Sequence, residues 1–126
     1  MSGKTSYMKK RKLAFKYAGN GVKRLVGGEA HAKIHLIAAV LVVVFGFLLQ
    51  LSLLEWCIVI LCIGGVFMAE AFNTAIEKLA DRISRENDPL IGTAKDVAAG
   101  GVLLMSIAAA IVGVIIFLPK LIQYFN

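Results

Sequence analysis

Three long apolar stretches separated by short polar segments dominate this sequence. They cover about residues 34–51, 56–78 and 97–118. A helix of roughly 20 predominantly apolar residues is long enough to cross the hydrocarbon core of a bilayer. The pattern therefore predicts three membrane-spanning helices, with a short turn at 52–55 after the first and with Pro119 stopping the third.

Residues 1–33 form a basic segment of a different kind. Nine of them are Lys or Arg, and the apolar residues between them recur only roughly at helical spacing. This composition is typical of an amphipathic helix that lies on a membrane surface. We therefore expect an all-α membrane protein with one N-terminal surface helix and three transmembrane helices, in a single domain over 1–126. The segment 82–95 is expected to be a polar loop broken by Pro89 and Gly92.

Composition and charge agree with this interpretation. Of the 126 residues, 59% are hydrophobic, and the mean hydropathy of +0.79 exceeds that of an ordinary soluble domain. Thirteen of the fourteen basic residues lie before the first span or between Glu77 and the third span, and Lys120 is the exception. The positive-inside rule then predicts a cytoplasmic N-terminus and a cytoplasmic long loop. It also accounts for the net charge of +6 without a nucleic-acid partner.

A row of polar residues ends the second span. The row consists of Glu70, Asn73, Glu77 and Asp81. Spacings of three, four and four residues place all of them on one face of a helix, at about 100° per residue. Glu70 is roughly 10 Å deeper along the axis than Glu77, so it falls inside the lipid boundary if Glu77 marks the interface. An ionisable group at that depth is costly and indicates function.

The polar residues at the predicted cytoplasmic end suit phosphoryl transfer. Glu29 and Glu77 could hold Mg²⁺, which favours a few carboxylates together with phosphate oxygens. Lys95 could neutralise phosphate charge, and Glu70 could accept a proton from a hydroxyl at the lipid boundary. The sequence contains no GxxxxGKS/T or GxGxxG motif, which excludes the soluble nucleotide-binding folds that depend on them.

Two other classes of protein fit the same spacing. A proton-coupled transporter also places an acidic residue within the membrane, as Glu70 would be. A membrane scaffold is the third class, although it leaves the buried acid without an explanation.

Three further features receive structural interpretations. His31 and His35 could form half of a zinc site, but no third ligand is nearby, so they are interpreted as interfacial histidines. Cys57 and Cys62 point roughly 140° apart on one helix and are not expected to pair. The small residues of the later spans, between 64 and 113, are interpreted as positions of close helix approach.

Two motifs connect the chain to a known family. One is ExxNxAIExxxD at 70–81, and the other is AKDxAAGxV at 94–102. With this pair of motifs the chain resembles the small prokaryotic diacylglycerol kinase family, which includes the undecaprenol kinases. The resemblance covers nearly the whole chain. It implies a Mg²⁺- and ATP-dependent lipid kinase of the bacterial cytoplasmic (inner) membrane, assembled as a homotrimer whose active sites are shared between neighbouring protomers.

The resemblance also implies a role for each matching residue. Glu70 resembles the catalytic base, and Glu29 and Glu77 resemble the metal ligands. Asn73 and Asp81 are expected to be further active-site residues. The residues expected to contact the nucleotide come from the surface helix, the row and the loop: Tyr17, Glu29, Glu77, Glu86, Asn87, Asp88, Lys95 and Asp96.

The expected acceptor is undecaprenol, with diacylglycerol as the alternative. The segments FKYAGNG at 15–21 and FLPKL at 117–121 resemble those of the undecaprenol kinases. The diacylglycerol-specific members of the family have Glu at the position of His35. We expect His35 and Glu70 to meet the hydroxyl end of the acceptor, with membrane lipids around the rest of the chain.

Overall fold

Four α-helices make up the protein in a computed structural model that describes residues 2–28, 30–84 and 87–126. The helices are α1 (Ser2–Gly28), α2 (Ala30–Leu48), α3 (Leu53–Ile83) and α4 (Pro89–Phe125). These described residues include no β-strand. α2, α3 and α4 are each long and apolar enough to cross a membrane. The predicted all-α class with three spans is therefore confirmed.

α1 is the basic segment that was predicted to lie on the membrane surface. It is one continuous helix that ends at Gly28, and it contacts α2 and α3. Its apolar side chains are largely exposed, including those of Phe15 and Tyr17, whereas Leu25 and Val26 are half-buried. A helix that exposes both basic and large apolar side chains suits the interface between lipid and water.

A tight turn ends α2 three residues earlier than the predicted limit of the first span. Gln50 adopts the left-handed conformation with a φ of 55°. The amide of Leu51 then donates to the carbonyl of Gly46 at an N···O distance of 3.1 Å, and the amide of Gln50 donates to Phe47 at 3.3 Å. This pair of hydrogen bonds satisfies the last carbonyls of the helix and reverses the chain direction.

α3 begins inside the segment that was predicted to be a turn. The Ser52 hydroxyl accepts a hydrogen bond from the Glu55 amide at 3.2 Å, and the Glu55 carboxylate accepts one from the Ser52 amide at 2.9 Å. This capping box satisfies two amides that lack helical partners. The same carboxylate lies 3.1 Å from the Lys120 ammonium, so it also connects α3 to the far end of α4.

The connection from α3 to α4 is shorter than the predicted polar loop over 82–95. Asp88 caps α4 by accepting hydrogen bonds from the amides of the first turn at 2.9 and 3.4 Å. Pro89 is the first helical residue, where a missing amide has no consequence because that amide would have no helical partner. Gly92 lies within the helix. The prediction that these two residues keep this segment from forming a helix is therefore wrong.

Pro119 does not stop the third span, so that prediction is also wrong. α4 continues through Pro119 to Phe125. A proline inside a membrane helix removes one helical hydrogen bond, and neighbouring groups can compensate for it. Lys120, the next residue, forms an ion pair with Glu55 of α3.

α3 packs against both α2 and α4. A small buried core lies between them, formed by Leu51, Val59 and Ile116 with partly buried neighbours such as Trp56. Most other apolar side chains are exposed, as expected for helices whose outer faces meet lipid.

Close helix approach explains only some of the small residues. An added Cβ at Gly65 would lie 2.6 Å from the end of the Met105 side chain, so α3 and α4 do come close there. At the four other glycines of the second and third spans, an added Cβ would meet no atom within 4 Å. These are Gly64, Gly100, Gly101 and Gly113. The interpretation as close-approach positions is therefore wrong for them within the chain.

We predict that Gly46→Ala lowers the free energy of unfolding by about 1–3 kcal/mol. The added Cβ would lie 2.6 Å from Cη2 of Trp56 and 3.1 Å from Cδ1 of Leu51. Gly64→Ala is the matched control, since its Cβ meets nothing within 4 Å. Thermal unfolding of both variants in detergent micelles tests this, and an unchanged Tm for Gly46→Ala would contradict it.

Candidate active site

The polar row at 70–81 lies on one unbroken helix, α3, and its members become more exposed toward the end of that helix. Glu70 is 3% exposed and Asn73 is 8% exposed, whereas Glu77 is half-buried and Asp81 is exposed. Exposure follows depth, because Glu70 and Asp81 lie roughly 16 Å apart along the helix axis. The row therefore connects a buried acid to an exposed one.

Glu70 contacts His35 of α2. Nε2 of His35 lies 3.8 Å from Oε2 of Glu70, and their side chains are 22% and 4% exposed. At this distance the two groups attract each other when the imidazole is protonated, but they are too far apart for a direct hydrogen bond. Phe67 packs edge-on against the imidazole with ring centroids 6.4 Å apart. An acid buried in apolar surroundings needs a polar partner, and His35 supplies one.

Asn73 and Glu77 form the middle of the row. Nδ2 of Asn73 donates a hydrogen bond to Oε1 of Glu77 at 3.3 Å. Within the described part of the chain, Oδ1 of Asn73 and Oγ1 of Thr74 are buried without a hydrogen-bond partner. A buried polar atom left unpaired costs about 1–3 kcal/mol. Two such atoms lie beside the acidic row. They indicate a site that a further polar group would complete by forming hydrogen bonds with them.

Sequence reasoning missed Thr74. The signal was present, because Thr74 follows Glu70 by four residues and so lies on the same face of α3. Its exposed fraction is 8%, comparable with that of Asn73.

Asp81 and Lys95 meet at the exposed end of the row. Their carboxylate and ammonium form an ion pair between α3 and α4, and the side chains are 58% and 37% exposed. An exposed ion pair adds little to stability. The ion pair matters instead for geometry, because it brings together one residue from each of the two sequence motifs.

The remaining predicted residues lie apart from these contacts. Tyr17 is exposed on α1, Asn87 and Asp96 are exposed, and Asp88 caps α4. Glu29 and Glu86 lie outside the described residues. Across the described ranges, no group of three or more His, Cys, Asp or Glu side chains is arranged to hold a metal ion.

An apolar groove begins beside the buried end of the row. It has a volume of about 300 Å³ and is lined by α2, α3 and α4. His35 belongs to its lining, so the same imidazole borders both the groove and the Glu70 carboxylate. A molecule with a polar end and a hydrocarbon body would therefore find both environments next to each other.

Comparison with known proteins identifies the family. The sequence profile described as prokaryotic diacylglycerol kinase matches residues 16–117. The chain belongs to this family. It is therefore a lipid kinase that uses ATP, and its three apolar helices make it a multi-pass membrane protein. The resemblance that the two motifs indicated is confirmed, and the transporter and scaffold interpretations are set aside.

Three named relatives are similar to this chain. The undecaprenol kinase of Bacillus subtilis is 44% identical over 108 residues, which cover 86% of this chain and 88% of the relative. The diacylglycerol kinase of a Synechocystis species is 35% identical over 112 residues, covering 88% and 64%. The diacylglycerol kinase of Escherichia coli K12 is 32% identical over 95 residues, covering 75% and 78%. The chain thus spans less than two thirds of the Synechocystis relative and most of the other two.

We predict that Glu70→Gln lowers lipid phosphorylation by about 10²- to 10⁴-fold, the usual effect of losing a general base. The amide keeps the shape of the side chain and removes its ability to accept a proton. Initial rates of phosphate transfer from ATP to a lipid alcohol measure the effect. Glu55→Gln is the matched control, because Glu55 lies on the same helix near its opposite end.

The control is expected to retain nearly the turnover of the unsubstituted protein. Size-exclusion chromatography should show that both variants assemble normally. Near-normal turnover of Glu70→Gln would show that Glu70 is not the general base.

Proposed function

We propose that this protein transfers the γ-phosphate of ATP to the hydroxyl of undecaprenol, with Glu70 as the general base and Mg²⁺ held by Glu77 and Glu29. The observation that carries the proposal is the burial of Glu70 beside His35, where an apolar groove begins. The 44% identity to a protein named undecaprenol kinase supports the choice of acceptor.

Glu70 is suited to activate the acceptor hydroxyl. Its carboxylate is almost fully buried, so water competes little for its oxygens, and a lipid hydroxyl at the same depth can donate a hydrogen bond to it. In the reaction, the hydroxyl gives its proton to Glu70 while its oxygen forms the bond to the γ-phosphorus and ADP leaves. Holding base and acceptor in this geometry is the main contribution the protein can make, because phosphoryl transfer depends largely on positioning and charge.

The exposed end of the row is suited to the phosphates of ATP. The carboxylates of Glu77 and Asp81 are oxygen ligands of the kind that Mg²⁺ prefers, and the amide of Asn73 orients Glu77 through its hydrogen bond. We propose that Glu77 holds the metal together with Glu29, and that bound Mg²⁺ neutralises charge on the phosphates. Lys95 is close enough to Asp81 to be held by it and can exchange that partner for a phosphate oxygen.

We propose further nucleotide contacts from the surface helix, from α4 and from the α3–α4 connection. We propose that Tyr17 approaches from the surface helix and that Asp96 acts beside Lys95. Glu86, Asn87 and Asp88 would then lie over the nucleotide in the α3–α4 connection.

The distribution of charge supports a cytoplasmic location for the site. Thirteen of fourteen basic residues flank the polar end of the spans, and the positive-inside rule puts that end in the cytoplasm. We propose the bacterial cytoplasmic membrane as the location, with the N-terminus inside. ATP is then available at the face where the row opens.

We also propose that the active protein is a homotrimer with active sites shared between protomers. Three spans bury little polar surface by themselves, and in this chain Asn73 and Thr74 each retain a buried polar atom without a partner among the described residues. Residues from a neighbouring copy would complete such a site.

The imidazole of His35 supports undecaprenol over diacylglycerol. A neutral imidazole offers one donor and one acceptor, whereas a carboxylate accepts several hydrogen bonds and suits a glycerol headgroup with more than one oxygen. Undecaprenol presents a single hydroxyl at the end of a hydrocarbon chain. It therefore needs less polar recognition at this position.

We predict that Glu77→Ala and Glu29→Ala each raise the Mg²⁺ concentration needed for half-maximal activity by about tenfold or more. A metal ligand removed from the site lowers metal affinity, so added Mg²⁺ should partly restore the rate. Mg²⁺ titrations at fixed ATP measure this, with Glu55→Gln as the control. If a variant has the same Mg²⁺ titration as the unsubstituted protein, the residue that it replaces is not a metal ligand.

We predict a higher kcat/KM for undecaprenol than for diacylglycerol, and a shift of that ratio toward diacylglycerol by about tenfold or more in His35→Glu. Competition between both lipids in one mixed micelle, with both products counted, gives the ratio directly. His31→Glu is the matched control, since His31 is exposed one turn earlier on the same helix. A preference of the unsubstituted protein for diacylglycerol would contradict undecaprenol as the acceptor.

A further inference from the structure

The apolar groove runs roughly parallel to the three membrane helices. At one end it is lined by His35, Phe67 and Ser106, and at the other by Val59 and Phe117. From Ser106 to Phe117 the groove follows α4 for roughly 16 Å along the helix axis. It therefore extends from the level of the row toward the opposite side of the membrane.

The two ends of the groove differ in polarity. The imidazole of His35 is at one end, and the Ser106 hydroxyl there is buried without a hydrogen-bond partner within the described ranges. Beyond these two residues the lining is hydrocarbon except for the thiol of Cys62. One end of the groove, beside Glu70, is polar, and the rest is apolar. This arrangement suits a lipid alcohol whose hydroxyl lies at the polar end and whose hydrocarbon chain lies along the apolar part.

Small side chains keep the groove open. Ala38 and Ala39 of α2 and Ala109 and Gly113 of α4 belong to its lining. Small residues normally let two membrane helices approach closely, but α2 and α4 form no packed pair in the described part of the chain. A Cβ added at Gly113 would meet no atom within 4 Å, and Gly113 belongs to the lining of the groove.

We propose that this groove binds the hydrocarbon segment next to the hydroxyl of the acceptor lipid, and that Gly113 leaves the room for it. The inference rests on the proposed function, since it assumes that the acceptor hydroxyl lies at Glu70. Gly113 is then a residue that determines which lipid chains are accepted. The groove is one part of the acceptor site, and the remainder of a long chain extends into the membrane.

The size of the groove supports a lipid chain as its occupant. A volume of about 300 Å³ is at the lower end of the range of about 300–1,000 Å³ for ligand sites. A helix of a second copy, about 10 Å across with its side chains and about 16 Å long, would fill more than about 1,000 Å³, which is several times the volume of the groove. A flexible hydrocarbon chain entering from the surrounding lipid fits.

Gly113→Leu tests the proposal because it fills the groove without touching the row. Gly113 follows Ser106 by seven residues, so it lies roughly 10 Å beyond the polar end. We expect the KM for a long-chain prenol to rise by about tenfold or more, while kcat and the KM for ATP stay unchanged. Ala108→Leu, at an exposed position of the same helix, is the control and should leave all three constants unchanged. An unchanged KM for the long-chain prenol in Gly113→Leu overturns the proposal.

A short prenol with a single isoprene unit separates blocked entry from damage to the fold. Its chain ends before Gly113, so Gly113→Leu and the unsubstituted protein should phosphorylate it at equal rates. Loss of this activity together with the long-chain activity would show general damage and count against a specific role for Gly113.

Cys62 gives a second measurement that does not depend on activity. It lines the groove, whereas Cys57 is exposed, so Cys57→Ser leaves the groove thiol as the only one in the chain. A long-chain prenol at about ten times its dissociation constant should slow alkylation of Cys62 by N-ethylmaleimide about tenfold, by mass action. Equal protection by phosphatidylcholine, or none by the prenol, overturns the proposal.

The same experiments distinguish this inference from the proposed function. If Gly113→Leu phosphorylates prenols with unchanged kinetics, the proposed function is supported and the groove is not the binding site of the acceptor chain. Protection of Cys62 by a prenol that is not phosphorylated would support the groove as a binding site and remove prenols as acceptors.

Discussion

The burial of one carboxylate in a membrane helix is the constraint on which the rest of this structure depends. Water solvates Glu70 poorly at its depth, and an uncompensated acid there is costly. The protein compensates by bringing His35 of α2 to within 3.8 Å of it. The contact joins α2 to α3, and it places an imidazole where the hydrocarbon interior and the polar row meet.

The continuity of α3 gives this constraint its functional meaning. Because one helix carries the whole row, the acids lie in order of depth, from the nearly fully buried Glu70 to the exposed Asp81. A lipid hydroxyl and a nucleotide come from opposite environments, and a phosphoryl-transfer site has to bring them together. In the proposed site, a single rigid helix that crosses the interface would hold the groups for each at fixed separations. The ion pair of Asp81 with Lys95 connects the exposed end to α4.

Local rules at the helix ends explain where the predicted boundaries differ from the observed ones. Each proline was expected to break a helix, but Pro89 starts α4 behind its Asp88 cap and Pro119 lies inside it. Gln50 ends α2 in a conformation that usually favours glycine, and no strong glycine signal marked that position. These outcomes depend on caps and on hydrogen bonds one turn away, which hydropathy does not register.

The sequence by itself determined the three spans, the basic surface segment, the family and the order of residues along the row. Hydrophobic length and helical spacing are local properties, so they can be read from neighbouring residues. Only the tertiary structure decided that His35 meets Glu70, that Asp81 meets Lys95 and that small residues of α2 and α4 border a groove. These contacts join different helices, and nothing in the periodicity of one helix specifies how far it is rotated against another. Packing sets that rotation, because side chains from all three helices have to fit together at once.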